Sequence, residues 1–239
     1  MHLLIDIGNT RIKWQYRDRK KILLSGDMLV ENFMDIDFLQ IKSIDKILVS
    51  NVNHKIVLEK IEKSLQKFKC PFVEINAQSN NIMTNNYEDK SQLGVDRWCT
   101  AIGAWKRYGK SLIVINAGTA ITIDLIELDK SKKPYFKGGM ILPGIAISLA
   151  MLNNSTSLID TELGKNVFPS LNTSDAVTTG IFTSIQGAVN LIGRQFPSSF
   201  PILLTGGDAD IIYEQAEEEW KSRIKVEDNL IFDGLHMFI

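Results

Sequence analysis

Cysteine and histidine are scarce in this chain of 239 residues, which has two cysteines and three histidines. Cys70 and Cys99 lie far apart and form no C-x-x-C pair, so neither a disulfide framework nor a zinc site is expected. We predict two buried thiols in a reducing compartment. The histidines His2, His54 and His236 are scattered, and each is expected to be structural or exposed rather than catalytic.

An excess of charge of one sign is also missing, as are long apolar runs. The net charge is −1, which gives no reason to expect a nucleic acid or an anionic membrane as a partner. The longest apolar stretch, Met140–Leu152, contains Pro143 and Gly144 and is too short to span a bilayer. The first residues reach a carboxylate at Asp6 and lack the apolar core of a signal peptide. We therefore expect a cytoplasmic protein without a membrane partner.

Common motifs for nucleotide binding and hydrolysis are absent as well. The chain has no G-x-x-x-x-G-K-[ST] sequence, which excludes a P-loop protein. It has no G-x-G-x-x-G, G-x-S-x-G or H-E-x-x-H sequence either. Any catalytic chemistry must therefore use a less common arrangement of polar residues.

What the chain does have is a polar turn near its start, in LLIDIGNTRIKW at residues 3–14. An apolar run, turn residues and then alternating residues predict a strand, a tight turn and a second strand. Gly8 permits close approach of a ligand to the backbone, and Asn9 and Thr10 add hydrogen-bonding groups. Asp6 could hold a hydrated Mg²⁺ ion beside a phosphate group. An ordinary hairpin is the alternative interpretation.

A second copy of this pattern occurs in LIVINAGTAITID at residues 112–124. Aligning Gly8 with Gly118 brings together the polar pairs Asp6 with Asn116 and Asn9 with Thr119. The separation of the copies is too long for a solenoid repeat. The repeat predicts two similar domains, each with one hairpin, although chance similarity is the alternative.

Strands precede helices in each half of the chain, which predicts α/β layers with mixed sheets. Helical spacing over Trp98–Tyr108 ends at Gly109, where we place a domain boundary. The predicted domains are residues 1–109 and 110–239.

Asp96 and Arg97 follow Gly94 and Val95 at the start of that helix. A carboxylate next to a guanidinium is expected to keep a depressed pKa and to stay ionised. It could then accept a proton from a substrate hydroxyl. The alternative is helix capping by Asp96, with Arg97 as a surface partner.

Other glycines suggest bends or close packing. Gly138-Gly139 predicts a bend whose N–H groups have room near a ligand, although packing explains the glycine pair equally well. TGGD at residues 205–208 ends a predicted strand and is either a binding surface for a flat ligand, such as a nucleotide base, or a plain turn. Gly180 and Gly187 are expected to let a long helix, predicted over residues 176–196, pack closely.

Taken in order, these segments resemble the type III pantothenate kinase family. The family belongs to the superfamily of acetate and sugar kinases, heat-shock chaperone ATPases and actin. The matching segments are DIGNTRIKW at 6–14, Tyr87 with LGVDRW at 93–98, NAGTAITID at 116–124, GGMILPG at 138–144, NTSDAVTTGI at 172–181, LTGGDA at 204–209 and GL at 234–235. Each motif alone is weak, but the ordered set spans nearly the whole chain and is specific.

The resemblance implies an α/β fold of two ribonuclease H-like domains with ATP in the cleft between them. It implies ATP-dependent phosphorylation of pantothenate at its primary hydroxyl, the first step of coenzyme A synthesis. The implied cofactors are ATP, Mg²⁺ and a monovalent cation, K⁺ or NH₄⁺. A homodimer with the substrate pocket close to its interface is also implied.

The resemblance gives roles to single residues as well. Asp96 is the expected general base, and Asp6 is the expected Mg²⁺ ligand. The expected nucleotide-binding residues are Asp6, Gly8, Asn9, Thr10, Arg11 and Lys13 in the first phosphate loop and Thr119 in the second. The expected pantothenate-binding residues are Tyr87, Gly94, Val95, Asp96, Arg97 and Thr173.

This chain departs from the family pattern in two places. Asn116 stands where the family usually has an aspartate that holds the monovalent cation, and a neutral amide leaves potassium dependence open. Asp89-Lys90 replaces an Asn-Pro pair often found near Tyr87, so the placement of that loop is open too. Two rival functions stay open: a non-catalytic regulatory or binding relative with the same fold, and a kinase of the same superfamily that acts on another small hydroxyl compound.

Overall fold

The computed structural model describes residues 1–35, 41–78 and 82–239. Contacts between Cα atoms divide the chain into two compact units. The first unit contains Met1–Lys110, Ile126–Gly138 and Asn229–Ile239, and the second contains Ser111–Leu125 and Gly139–Asp228. The chain thus changes unit next to the boundary predicted at Gly109. It differs from the prediction in that residues 126–138 and 229–239 lie with the first unit.

The strands and helices have the following bounds. The strands are β1 His2–Ile7, β2 Arg11–Asp18, β3 Lys21–Leu29, β4 Lys46–Asn51, β5 Phe72–Glu74, β6 Thr84–Asn85, β7 Leu112–Ala117, β8 Ala120–Leu128, β9 Pro134–Pro143, β10 Ile202–Thr205 and β11 Ile224–Val226. The α-helices are α1 Lys55–Leu65, α2 Val95–Tyr108, α3 Ile145–Ser155, α4 Thr173–Gln195, α5 Ala209–Gln215, α6 Glu218–Lys221 and α7 Leu230–Leu235. Across the described ranges, no helix has both the length and the hydropathy needed to cross a bilayer.

The first unit is built on a sheet with the strand order β3-β2-β1-β4-β5. β2 pairs antiparallel with β1 and β3, whereas β4 lies parallel to β1 and β5 parallel to β4. Leu3, Leu4 and Ile5 of β1 are each at most 1% exposed, as expected of a central strand that is covered on both faces. The mixed sheet confirms the predicted fold class.

Helix α7 packs on α2 through glycines, which explains why the end of the chain lies with the first unit. A Cβ atom on Gly103 of α2 would lie 1.9 Å from the carbonyl oxygen of Leu230. A Cβ atom on Gly234 of α7 would lie 1.8 Å from the carbonyl oxygen of Cys99. The two helix backbones therefore touch directly, a contact that only glycine allows. Gly109 ends α2 with φ 65°, as predicted.

The two cysteines and the three histidines all lie in the first unit. Both cysteines are free thiols. Cys99 is buried as predicted, but Cys70 is only half-buried, so the expectation of two buried thiols is wrong for that residue. The rings of His2 and His236 meet edge to face with their centroids 6.3 Å apart, and His54 is exposed.

The second unit has the strand order β11-β10-β7-β8-β9, with β10 parallel to β7 and β11. Its core joins branched aliphatic side chains of β7, β8 and α4 with Trp220 of α6. In the first unit, β6 pairs in parallel with the Tyr135–Phe136 part of β9. The strands of the predicted second hairpin are present as β7 and β8.

Two predictions from glycine are wrong. Gly138-Gly139 does not form a bend, since both residues lie within the ten-residue strand β9. Gly180 and Gly187 have open space where a Cβ atom would lie, so they do not mediate close packing. Gly193 does, because a Cβ atom there would lie 2.7 Å from the Trp220 ring.

Candidate functional site

The first hairpin, β1 with β2, places its polar residues at one end of the first unit's sheet. Asp6 lies next to the end of β1 and faces Lys13 of β2 in register, with Ser50 of β4 on its other side. The Gly8 N–H donates to the Arg11 carbonyl oxygen at 2.9 Å and closes the turn. The predicted strand, turn and strand are confirmed.

The carboxyl group of Asp6 is placed where ionisation is costly. Burial and, secondly, the negative charge of Asp96 raise the pKa of Asp6 to about 7. The nearby Ser50 hydroxyl and the charge of Lys13 offset only part of that increase in pKa. Oδ1 of Asp6 is buried and has no hydrogen-bond partner in the described chain. The protein alone therefore leaves this acidic group incompletely satisfied.

These features fit a divalent cation bound with a nucleotide. The part of the chain that the structure describes has no group of three acidic, histidine or cysteine side chains that would cage a metal ion. Mg²⁺ is commonly held by one or two carboxylates together with phosphate oxygens and water. The orphaned Oδ1 of Asp6 is a suitable ligand, and a cation there would lower the pKa that burial raises.

Asp96 lies in the first turn of α2, directly after Val95. The Arg97 N–H donates to Oδ1 of Asp96 at 2.8 Å, which orients the carboxyl group. A Cβ atom on Gly94 would lie 2.6 Å from that same oxygen, so glycine is needed for this side-chain position. The motif Gly94-Val95-Asp96-Arg97 thus forms one local structure.

The predicted pKa of Asp96 is wrong in direction. Burial raises the pKa of Asp96, and this effect exceeds the opposing hydrogen bond and charge of Arg97. The Arg97 guanidinium lies over the rings of Tyr87 and Phe136, 5.7 and 5.6 Å from their centroids. Its Nη1 donates to the Tyr87 hydroxyl at 2.8 Å. Arg97 is 5% exposed and is not the surface partner of the alternative interpretation.

Phe136 and Asn85 help to position Tyr87 and Arg97, and the sequence did not predict this role for either residue. Phe136 is fully buried and meets the Tyr87 ring at a centroid distance of 5.8 Å. Oδ1 of Asn85 accepts the Tyr87 N–H at 2.9 Å, while its amide donates to the carbonyl oxygens of Ala77 and Lys90. The sequence carries only a weak signal of this, a cluster of asparagines at positions 76, 80, 81, 85 and 86, of which 80 and 81 lie outside the described residues.

The remaining residues that were predicted to bind phosphate, at the turn of the first hairpin and just after it, are exposed or half-buried. Asn9 and Thr10 are exposed at the turn. Arg11 Nε donates to Asp27 of β3 at 2.6 Å, so its guanidinium already has an acidic partner. Lys13 is half-buried and lies between Asp6 and Asp27 in register.

The second unit contains the other three predicted site residues. Asn116 is half-buried near the end of β7 and faces Thr205 in register, and Thr119 is exposed in the second hairpin, β7 with β8. Thr173 is exposed at the first turn of α4 and lines an apolar cavity of about 810 Å³. Gly206 in TGGD has φ 106° and packs on the backbone of Ala117.

Comparison with known proteins decides the family. The family model for type III pantothenate kinase matches residues 2–195. The chain belongs to the type III pantothenate kinase family. A type III pantothenate kinase of Methylobacillus flagellatus is 33% identical over 242 residues, covering 98% of this chain and 95% of that protein. One of Psychrobacter cryohalolentis is 34% identical over 243 residues, covering 98% and 96%.

Solved structures show the same fold. A Campylobacter jejuni protein, described as a Baf family transcriptional activator, has a TM-score of 0.64 at 25% identity and covers 99% of this chain and 96% of its own. A Listeria monocytogenes protein, described as an N-acetylmannosamine kinase, has a TM-score of 0.57 at 14% identity, with coverage of 99% and 97%. These likenesses confirm the α/β fold that the resemblance implied.

Proposed function

We propose that this chain uses ATP to phosphorylate the primary hydroxyl of pantothenate. The observation that carries the proposal is the carboxylate pair of the first unit, Asp6 and Asp96. The negative charge of Asp96 raises the pKa of Asp6. Both residues lie on motifs of the family, DIGNTRIKW and LGVDRW. Groups that cost stability in this way are typical of functional sites. This favours an enzyme over a binding relative that has lost catalysis.

Asp96 is the proposed general base. Its raised pKa makes it a stronger base than an ordinary aspartate, and the Arg97 N–H holds it in one orientation. The substrate oxygen forms a bond to the γ-phosphorus while the bond from that phosphorus to ADP breaks, and the hydroxyl proton passes to Asp96.

Arg97 is the proposed partner of the pantothenate carboxylate. A guanidinium binds a carboxylate through parallel N–H groups. The rings of Tyr87 and Phe136 and the Tyr87 hydroxyl fix its plane before substrate arrives. The resemblance adds Gly94 and Val95 to the same binding surface.

Asp6 is the proposed Mg²⁺ ligand, and the ion would neutralise charge on the ATP phosphates. The loop residues Gly8, Asn9, Thr10, Arg11 and Lys13 are proposed to contact phosphate. Lys13 is well placed for this, because it lies in register with Asp6. Thr119 is the proposed phosphate-binding residue of the second hairpin, and Asn116 the proposed ligand of a weakly held monovalent cation. Because ATP is a cytoplasmic metabolite, we place the reaction in the cytoplasm.

A homodimer is proposed from the apolar surface of the second unit. Met151, Leu158, Phe168 and Leu171 are 56%, 95%, 88% and 94% exposed, and Met151 and Leu171 line the cavity beside Thr173. Exposed apolar surface of this kind commonly marks a protein interface. We propose that a second copy covers it and that Thr173 of the pantothenate site lies near that interface.

A coupled assay of ADP release tests the activity. We expect Mg²⁺-dependent ADP release that requires pantothenate. ADP release with another small hydroxyl compound but not with pantothenate would favour a different kinase of the superfamily. No turnover with any such compound, in a protein that binds pantothenate, would favour the non-catalytic relative.

Light scattering after size exclusion tests the dimer. Leu171→Glu places a charge in the proposed interface and is expected to give a monomer. Leu191→Glu is the matched control, since Leu191 is 51% exposed on α4 but does not line the cavity. A dimer that persists in Leu171→Glu would place the interface elsewhere.

A further inference from the structure

Asn53 follows β4 with one residue between them, and it contacts the loop of the first hairpin. Its Nδ2 donates to the carbonyl oxygen of Gly8 at 2.8 Å and to that of Asn9 at 3.2 Å. One side-chain amide therefore holds two successive carbonyl groups of the proposed phosphate loop.

The two hydrogen bonds determine where the N–H groups of the loop point. In a trans peptide, the carbonyl of one residue and the N–H of the next point in opposite directions. Holding the Gly8 and Asn9 carbonyls towards Asn53 therefore turns the N–H groups of Asn9 and Thr10 to the opposite side of the loop. Successive N–H groups on one side of a turn form a concave surface that binds anions.

Asn53 is itself fixed by the chain around it. Its N–H donates to Oδ1 of Asn51 at 3.1 Å, and its own Oδ1 accepts the His54 N–H at 2.7 Å. The side chain thus donates with its nitrogen and accepts with its oxygen at the same time. An amide can do both, whereas an ionised carboxylate can only accept.

We propose that Asn53 is a positioning residue for nucleotide phosphate: it holds the carbonyl side of the first hairpin's loop so that the N–H side faces the phosphates. The inference rests on the proposed use of ATP. It assigns Asn53 no contact with substrate.

The test is calorimetric binding of Mg·ATP and, separately, of pantothenate. Asn53→Ala removes both donated bonds. Asn53→Asp keeps the acceptor for the His54 N–H but sets a negative oxygen against two carbonyl groups. Both variants are expected to bind Mg·ATP about tenfold or more weakly and pantothenate as wild type does. Asn76→Ala is the matched control, because Oδ1 of Asn76 also accepts a backbone N–H, that of Gln78 at 3.0 Å, outside the hairpin.

Three results would overturn the inference. Wild-type affinity for Mg·ATP in Asn53→Ala would remove the positioning role. Wild-type affinity in Asn53→Asp alone would show that the acceptor, and not the donor, matters. Equal loss of both ligands in the two Asn53 variants, but not in Asn76→Ala, would indicate general loss of structure. Failure of the proposed function looks different, because wild type itself would then show no pantothenate-dependent ADP release in the coupled assay, whatever the Asn53 variants bind.

Discussion

The two hairpins of this chain share a backbone pattern and differ in how their polar residues are satisfied. Asp6 and Asn116 each lie next to the end of a strand, two residues before the glycine that begins the turn. The first turn is closed by the Gly8 N–H on the Arg11 carbonyl at 2.9 Å, and the second by Gly118 on Ala120 at 3.2 Å. The first carries a carboxyl group whose pKa is raised to about 7, and the second a neutral amide.

The loops are also supported differently. Carbonyl groups of the first loop are held by the side chain of Asn53. Those of the second hairpin are held by backbone donors, with Gly144 N–H on Thr119 and Asp208 N–H on Ala117, both at 3.1 Å. We infer that the first hairpin retains a buried carboxyl group, Asp6, for a role in catalysis. The second hairpin has no such charge, and we infer that its role is mainly structural.

Replacing the carboxyl group of the first hairpin by an amide, as in the second hairpin, is expected to lower kcat more than any other change considered. Asp6→Asn removes the charge but keeps the size of the side chain. Without it the proposed Mg²⁺ ion loses an anionic ligand, and we expect Mg²⁺-dependent kcat to fall by about 10³-fold. Asn116→Ala is the corresponding change in the second hairpin and is expected to cost far less. Equal losses in the two variants would contradict the division of roles between the hairpins.

The acidic partner of Asp6 gives the next largest effect. Asp96→Asn is expected to lower kcat by roughly 10²-fold or more, the usual contribution of a general base. The Arg97 N–H can still donate to the amide oxygen, so the start of α2 is expected to keep its structure. Steady-state kinetics and circular dichroism check both points. A folded variant with near wild-type turnover would remove Asp96 from the role of base.

Local sequence patterns predicted the hairpins well because their determinants are local. The apolar run before Asp6 and the alternation after Thr10 specify strands whatever the rest of the chain does. The unit boundaries were harder to predict, since the end of the chain joins the first unit through contacts of Gly103 and Gly234. Those residues lie far apart in sequence, and a glycine gives no sign of the backbone that will pack on it.

For the candidate site, the pKa of Asp96 was predicted in the wrong direction. Sequence adjacency suggested that Arg97 would lower the pKa of Asp96. In the structure, burial has the larger effect and raises the pKa of Asp96. The Arg97 guanidinium lies over the rings of Tyr87 and Phe136. The sequence did not predict the roles of Asn53 and Asn85, because these roles depend on which backbone groups lie opposite the two side chains.

The buried carboxyl group of Asp6 is expected to make the stability of the protein depend on pH. The pKa of Asp6 is about 7 in the folded protein and about 4 in an unfolded chain. The folded state therefore binds the proton more tightly, and stability falls as pH rises from about 4 to about 7. Asp6→Asn removes this contribution. Without nucleotide or metal, we expect its Tm to exceed that of wild type at pH 8 by roughly a few °C and by less at pH 5.

Differential scanning calorimetry in a metal chelator, at both pH values, measures this difference. Asn116→Ala serves as the control, since its side chain does not titrate. A Tm difference between Asp6→Asn and wild type that grows towards acid pH would contradict the raised pKa of Asp6.

The smallest expected effect comes from giving the second hairpin the charge of the first. A carboxylate at position 116 would attract a monovalent cation by its full charge, whereas the Asn116 amide offers one carbonyl oxygen and no net charge. Desolvation of the ion is then less well offset, so the natural protein should bind it more weakly. Backbone donors hold this hairpin in shape, which favours a weakened site over a lost one.

We expect activity to rise with K⁺ or NH₄⁺ and to stay low in Na⁺, with Asn116→Asp needing a few-fold less K⁺. Titration of both proteins with each chloride salt at constant ionic strength decides the point. Equal activity in all salts would show that the cation site is gone, and a lower K⁺ requirement in the natural protein would refute the argument from charge.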